Sequence, residues 1–162
     1  MSETELLAYF NEHVFYELLM LSYSKQHLEN GLDRYLWNAM FAAFNVSARN
    51  LENFLTNKGD RTHMRVLDYK DHRTDARSIS NEAIRETVKM LNAQCLHLGK
   101  DRFTEADKKI NLGKVRKVSA WVVSNMDNLL KSFKGEFRSK LCPDWASLIA
   151  QHRIVSGPIG PD

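Results

Sequence analysis

Apolar residues recur at three- and four-residue spacing through most of this chain, the period of a helix with one buried face. The first stripe is Leu7, Phe10, Val14, Leu18, Leu21 and Leu28. Ser2-Glu3-Thr4-Glu5 opens it as a reciprocal capping box, and Asn30-Gly31 ends it. Asp33 is an N-cap for a second helix with Trp37, Phe41, Phe44, Ala48, Leu51 and Leu55 inside, stopped by Asn57-Lys58-Gly59. Residues 58–79 hold no sustained period and many charges, so they read as a long connection with a short helical turn around Met64–Tyr69. Unstructured connections of that length are uncommon and often functional or mobile. Ser80 opens a third helix carrying Ile84, Val88, Leu91, Cys95 and Leu98, with Gly99 after it. A charged stretch, Lys100–Lys114, includes a short turn near Thr104 and Asp107. A fourth helix carries Val115, Val118, Val122, Leu129, Phe133 and Phe137. Continuous from Lys114 to Lys140, it would span about 40 Å. Pro143 breaks it, and Asp144 can cap a last short helix, Trp145–His152. No alternating strand pattern appears. Stripes of this kind must be buried against one another, so the pattern predicts an all-α fold, an antiparallel bundle of four to five helices. We read 1–155 as a single domain and 156–162 as a frayed tail.

Composition narrows the class. With 162 residues, 43% hydrophobic and 27% charged, the chain suits one folded domain and not a disordered one. No apolar run approaches the ~18 residues of a membrane span, so no membrane contact is expected. The acidic N-terminus lacks the basic region of a secretory signal. Cys95 and Cys142 do not make a disulfide framework and fit a reduced, cytoplasmic compartment.

Charge is unevenly placed. Residues 1–55 hold three basic residues against seven acidic ones, whereas 100–140 hold eleven basic against five acidic. A basic surface can neutralise phosphates of a nucleic acid; the plain alternative is a solvated helix face.

Most chemical motifs are absent. There is no glycine-rich phosphate loop, no paired-cysteine or HExxH metal spacing, and no Glu-x-x-His, so neither a metal nor a cofactor is expected. Three places depart from plain helical patterning. Glu17 lies three residues after Val14 and four before Leu21, inside the apolar stripe, with His13 one turn earlier. A carboxylate near a core needs a partner; the pair is either a satisfied polar contact or the start of a polar pocket capable of acid–base work. Arg49 stands nearly opposite the second stripe, among Asn38, Asn45, Glu52 and Asn53. His97 and Arg102 bracket Gly99, so the chain can fold one beside the other, or leave both on the surface.

Three segments carry a resemblance: HVFYELLML, SARNLENFL and HLGKDR. Together they resemble small, uncharacterised prokaryotic helical proteins similar to the HEPN (higher eukaryotes and prokaryotes nucleotide-binding) superfamily, over residues 10–140. The resemblance implies a helical bundle, often dimeric, with nucleotide, RNA or a protein as partner. Many members are metal-independent ribonucleases of toxin–antitoxin or phage-defence systems, with an Arg-polar-x-His signature spaced x4–6. Arg49-Asn50 opens that signature, but Phe54, Leu55 and Thr56 stand where the histidine belongs. The one formal match, Arg65-x6-His72, has apolar Val66 after the arginine. His97 followed by Arg102 is the pattern in reverse.

The expected function is therefore a non-catalytic nucleotide-, RNA- or partner-binding module. The alternatives are a ribonuclease using His97, Arg102 and Arg49, and a bundle with a small-molecule pocket around Glu17. Glu17, Arg49, His97 and Arg102 are expected to converge, with His13 beside Glu17. Phe15, Tyr16, Leu19 and Met20 widen the apolar girth of the first helix, which predicts a homodimer.

Overall fold

The computed structural model describes residues 1–58, 63–75, 79–95 and 111–155, with the backbone alone for 91–95 and 152–155. The fold is all-α. Helices α1 (Glu3–Tyr9), α2 (Phe15–Glu29), α3 (Arg34–Leu55), α4 (Arg85–Cys95), α5 (Leu112–Ser132), α6 (Gly135–Ser139) and α7 (Asp144–Val155) follow in order. Among the described residues no strand forms, only an isolated antiparallel bridge between Arg73 and Phe133.

A π-helical turn, Phe10–Val14, joins α1 to α2. Its cause is legible in the spacing of the residues it buries. Leu6, Phe10, Val14 and Leu18 are all inside, each four residues after the last. At 3.6 residues per turn each such step overshoots by about 40°, so an unbroken α-helix would fan the four over roughly 120°. The wider π turn takes up that drift. Leu6, and not the expected Leu7, is therefore the buried residue of the first turn; Leu7 is only partly covered. The Ser2–Glu5 capping box forms as expected.

Asp33 caps α3 by accepting from the amides of Tyr35 and Leu36. The short connection before it returns the chain, and α2 and α3 pack as a hairpin. α5 lies across both, and α7 reaches α2 and α5. Apolar side chains from these helices form one core.

The 58–79 segment contributes more than a turn. Val66–His72 is a 3-10 helix. Its Tyr69 is fully buried and donates its hydroxyl to the Leu6 carbonyl at 3.1 Å. Around it stand Phe10, Phe54, Phe133 and Phe137, with ring centroids 5.5–6.0 Å from Tyr69. Burial pushes the Tyr69 phenol far above its usual range, so it stays a hydrogen-bond donor.

The long final helix predicted over 114–140 is divided. Phe133 turns to extended backbone (φ −67°, ψ 138°). There the Thr74 amide donates to the Ser132 carbonyl at 2.7 Å, and the Lys134 amide to the His72 carbonyl at 2.8 Å. Docking of the 66–74 segment overrides the helical pattern, and both Phe133 and Phe137 remain buried. The expected last helix runs three residues beyond His152 to Val155.

Candidate functional site

Polar side chains of α2 and α3, with others from the end of α1 and the π turn, meet at one hollow of about 310 Å³. Glu17, half-buried on α2, accepts a hydrogen bond from Asn50 Nδ2 on α3 at 2.8 Å. Tyr9 and His13 come from the end of α1 and the π turn, their rings 4.9 Å apart. Asn53 and Phe54 continue the α3 wall, and Lys58, His63 and Met64 close it from beyond that helix. A π turn points successive side chains at angles that an α-helix does not, and such turns recur at functional sites. Here Phe10 enters the core while His13, three residues on, lines the hollow. Burial, together with the nearby Glu17 carboxylate, raises the Tyr9 phenol above its ordinary value, so it too remains a donor.

Lys58 is held in place from behind. Its Nζ donates to Glu52 Oε1 at 2.6 Å, and Glu52 is 2% exposed. Asn81, just ahead of α4, donates to the same oxygen. The Thr56 hydroxyl bonds the Glu52 carbonyl at 2.7 Å. This carboxylate thus ties α3, the following connection and the start of α4 together.

A second hollow of about 460 Å³ adjoins the first, since His63 and Met64 line both. Met1, Leu6, Arg65, Leu67, Asp68 and Lys70 complete it. Arg65 Nε is buried without a hydrogen-bond partner, and Asp68 lies 4.0 Å away. The trough therefore sets two cations, Arg65 and Lys70, beside one carboxylate, Asp68.

The expected constellation is met only in part. His13 and Glu17 do line one hollow. Arg49 does not join them: it is exposed and forms no ion pair among the described residues, and its neighbour Asn50 is the partner of Glu17. His97 and Arg102 lie outside the described residues. In the formal Arg65-x6-His72 match, His72 packs on Phe137 with centroids 4.7 Å apart and faces Glu3 at 3.7 Å. It is not among the residues that line the Glu17 hollow. The face of α3 read as outward is partly inward, because Asn45 and Glu52 are both buried. Glu52 follows Ala48 by four residues and precedes Leu55 by three, the same kind of intrusion into a stripe that singles out Glu17. Tyr9, Lys58 and His63 carry no such signal, since their part in the hollow depends on the π turn and on the chain after α3.

Among the described residues no cluster of three or more histidine, cysteine or acidic side chains could hold a metal ion, and no helix is long and apolar enough to cross a membrane. Comparison of the chain with family models, curated proteins and solved structures finds no match.

Proposed function

We propose that this chain is a HEPN-like bundle that binds a nucleotide without transforming it, the base in the Glu17 hollow and the phosphate along the adjoining trough. The observation that carries the reading is the contiguity of the two hollows. The first is lined by the rings of Tyr9 and Phe54 and by side chains able to donate to or accept from a base edge (Glu17, Asn50, Asn53). The second offers Arg65 and Lys70 to a phosphate. Titration calorimetry with the four ribonucleoside monophosphates and their nucleosides tests it. The expected result is saturable binding of at least one monophosphate, weakened at least tenfold by Asn50→Ala or by loss of the phosphate. Absence of binding by all four overturns it.

One observation favours metal-independent RNA cleavage as a second reading: two imidazoles, His13 and His63, line the hollow beside Asn50. A labelled single-stranded RNA cut in the presence of EDTA, and left intact by His13→Ala, would support that reading over the first. The dimer expectation belongs to the same proposal. Tyr16, Leu19 and Tyr23 are 57%, 43% and 50% exposed at three- and four-residue spacing along α2. Sedimentation is expected to show twice the 18.8 kDa chain mass.

A further inference from the structure

A cleft framed by the end of α5, by α6 and by the first turns of α7 shares no lining residue with the Glu17 hollow. Its volume is about 600 Å³, within the range of small-molecule sites. The wall is aliphatic, with Leu130, Leu141, Pro143, Ala146 and Ile149, and Trp145 is set into it.

Among the described residues three charged side chains line this cleft. Asp127 and Lys131 are paired at 2.7 Å, one turn apart on α5. Arg138, in the last turn of α6, is exposed and has no ion pair among the described residues. Among the described lining residues, Arg138 is thus the cation that no carboxylate pairs.

The wall is built from behind, so it needs no ligand to stand. Asn11 in the π turn accepts from the Cys142 amide at 3.0 Å and from the Trp145 indole at 3.2 Å, and donates to the Lys140 carbonyl at 3.4 Å. Phe10 and Phe15 hold the Trp145 ring, with centroids at 4.8 and 5.1 Å. Lys140 is fixed to Glu3 at 2.5 Å.

We propose that this cleft binds a medium-chain aliphatic carboxylate, its chain along Leu130, Leu141 and Ile149 and its head on Arg138. An aliphatic wall matches a methylene chain, and a lone guanidinium matches one carboxylate in bidentate geometry. Among the described residues the cleft has no side-chain amide and one aromatic ring, so it suits a nucleotide poorly.

The test uses the full chain and decanoate below its micelle concentration, followed by calorimetry and by the Trp145 indole N–H resonance. The expected result is saturable one-to-one binding that moves that resonance, weakening about fourfold for each methylene removed toward octanoate. Decanol and decylammonium are expected to bind at least tenfold more weakly. Arg138→Gln is expected to lose about tenfold. Ala146→Trp intrudes into the cleft and is expected to weaken binding at least tenfold at an unchanged melting temperature; Ala150→Trp is the second such cleft-filling variant should the first not fold. Absence of saturable decanoate binding overturns the proposal. So does equal binding of decanol and decanoate, or full affinity in Arg138→Gln or in a folded cleft-filling variant.

Discussion

The Glu17 hollow and the α5–α7 cleft are both served by the π turn at Phe10–Val14, yet they are opposite in character. His13 of that turn lines the hollow, while Asn11, two residues earlier, braces the cleft. The hollow is walled by amides, imidazoles and a carboxylate. Much of its polarity is already spent on internal bonds, Asn50 with Glu17 and Lys58 with Glu52. The cleft is walled mostly by hydrocarbon, with the Asp127–Lys131 pair and Arg138 at its lining, and the bonds that brace Trp145 lie behind the wall. A site of the first kind selects by hydrogen-bond pattern; one of the second kind selects by shape and a single charge.

That contrast can be broken most forcefully at Trp145, 3% exposed and packed on Phe10 and Phe15. Trp145→Ala is expected to cost about 3–5 kcal/mol in urea unfolding and to empty the cleft of its base. Nucleotide binding at the hollow is expected to survive, once the variant is measured well below its unfolding midpoint. Loss of both activities together would mean that the two sites are not separable.

Asn11→Ala sharpens the comparison at lower cost. It removes one acceptor for two donors, so a loss of about 1–3 kcal/mol is expected in the same assay. Decanoate binding should weaken more than nucleotide binding. The reverse order would place the π turn's influence in the hollow.

A smaller effect concerns pH at the hollow alone. Burial and Glu17 hold the Tyr9 phenol above 10, whereas the unfolded chain ionises near 10. The stability this contributes is complete below the unfolded value and is lost as pH rises through the folded one. Glu17→Gln is expected to move the Tyr9 titration, read by its phenolate absorbance in a chain with its other tyrosines replaced by phenylalanine, back toward 10. An unmoved titration would separate Glu17 from Tyr9.

Smallest of all is Arg49→Ala. Had Arg49 been the partner of a buried Glu17, its loss would have cost several kcal/mol. Exposed and unbridged, it is expected to stay within about 0.5 kcal/mol of the parent by thermal melting, while Asn50→Ala leaves Glu17 without its bond.

The two sites differ also in how much of them can be read from the chain. Helices α1, α2 and α3, the caps of α1 at Ser2 and of α3 at Asp33, and the helix after Pro143 follow from period and punctuation, which are local properties. Glu17 announces the hollow because a carboxylate between Val14 and Leu21 violates the stripe. Asn50 in place of Arg49 is not readable, since neighbours on a helix point about 100° apart and only the tilt of α2 against α3 selects between them. Nor is the break at Phe133, which answers to a bridge with Arg73 sixty residues away. The cleft leaves no trace in the pattern. Its residues are ordinary aliphatics, and the cavity arises from how three helix ends fail to fill the space between them.

The π turn carries one more consequence, which concerns chain length and not chemistry. It holds one residue beyond what regular winding needs, so deleting a single residue between Phe10 and Val14 would restore an unbroken α-helix and satisfy its backbone fully. The same deletion would rotate everything before it by about 100°. Leu6 would leave the core, Glu3 would swing off Lys140, and Tyr69 would lose the carbonyl that receives its hydroxyl. In this stretch a substitution is a local event, whereas a shift in residue count re-indexes the whole N-terminal turn against the rest of the molecule.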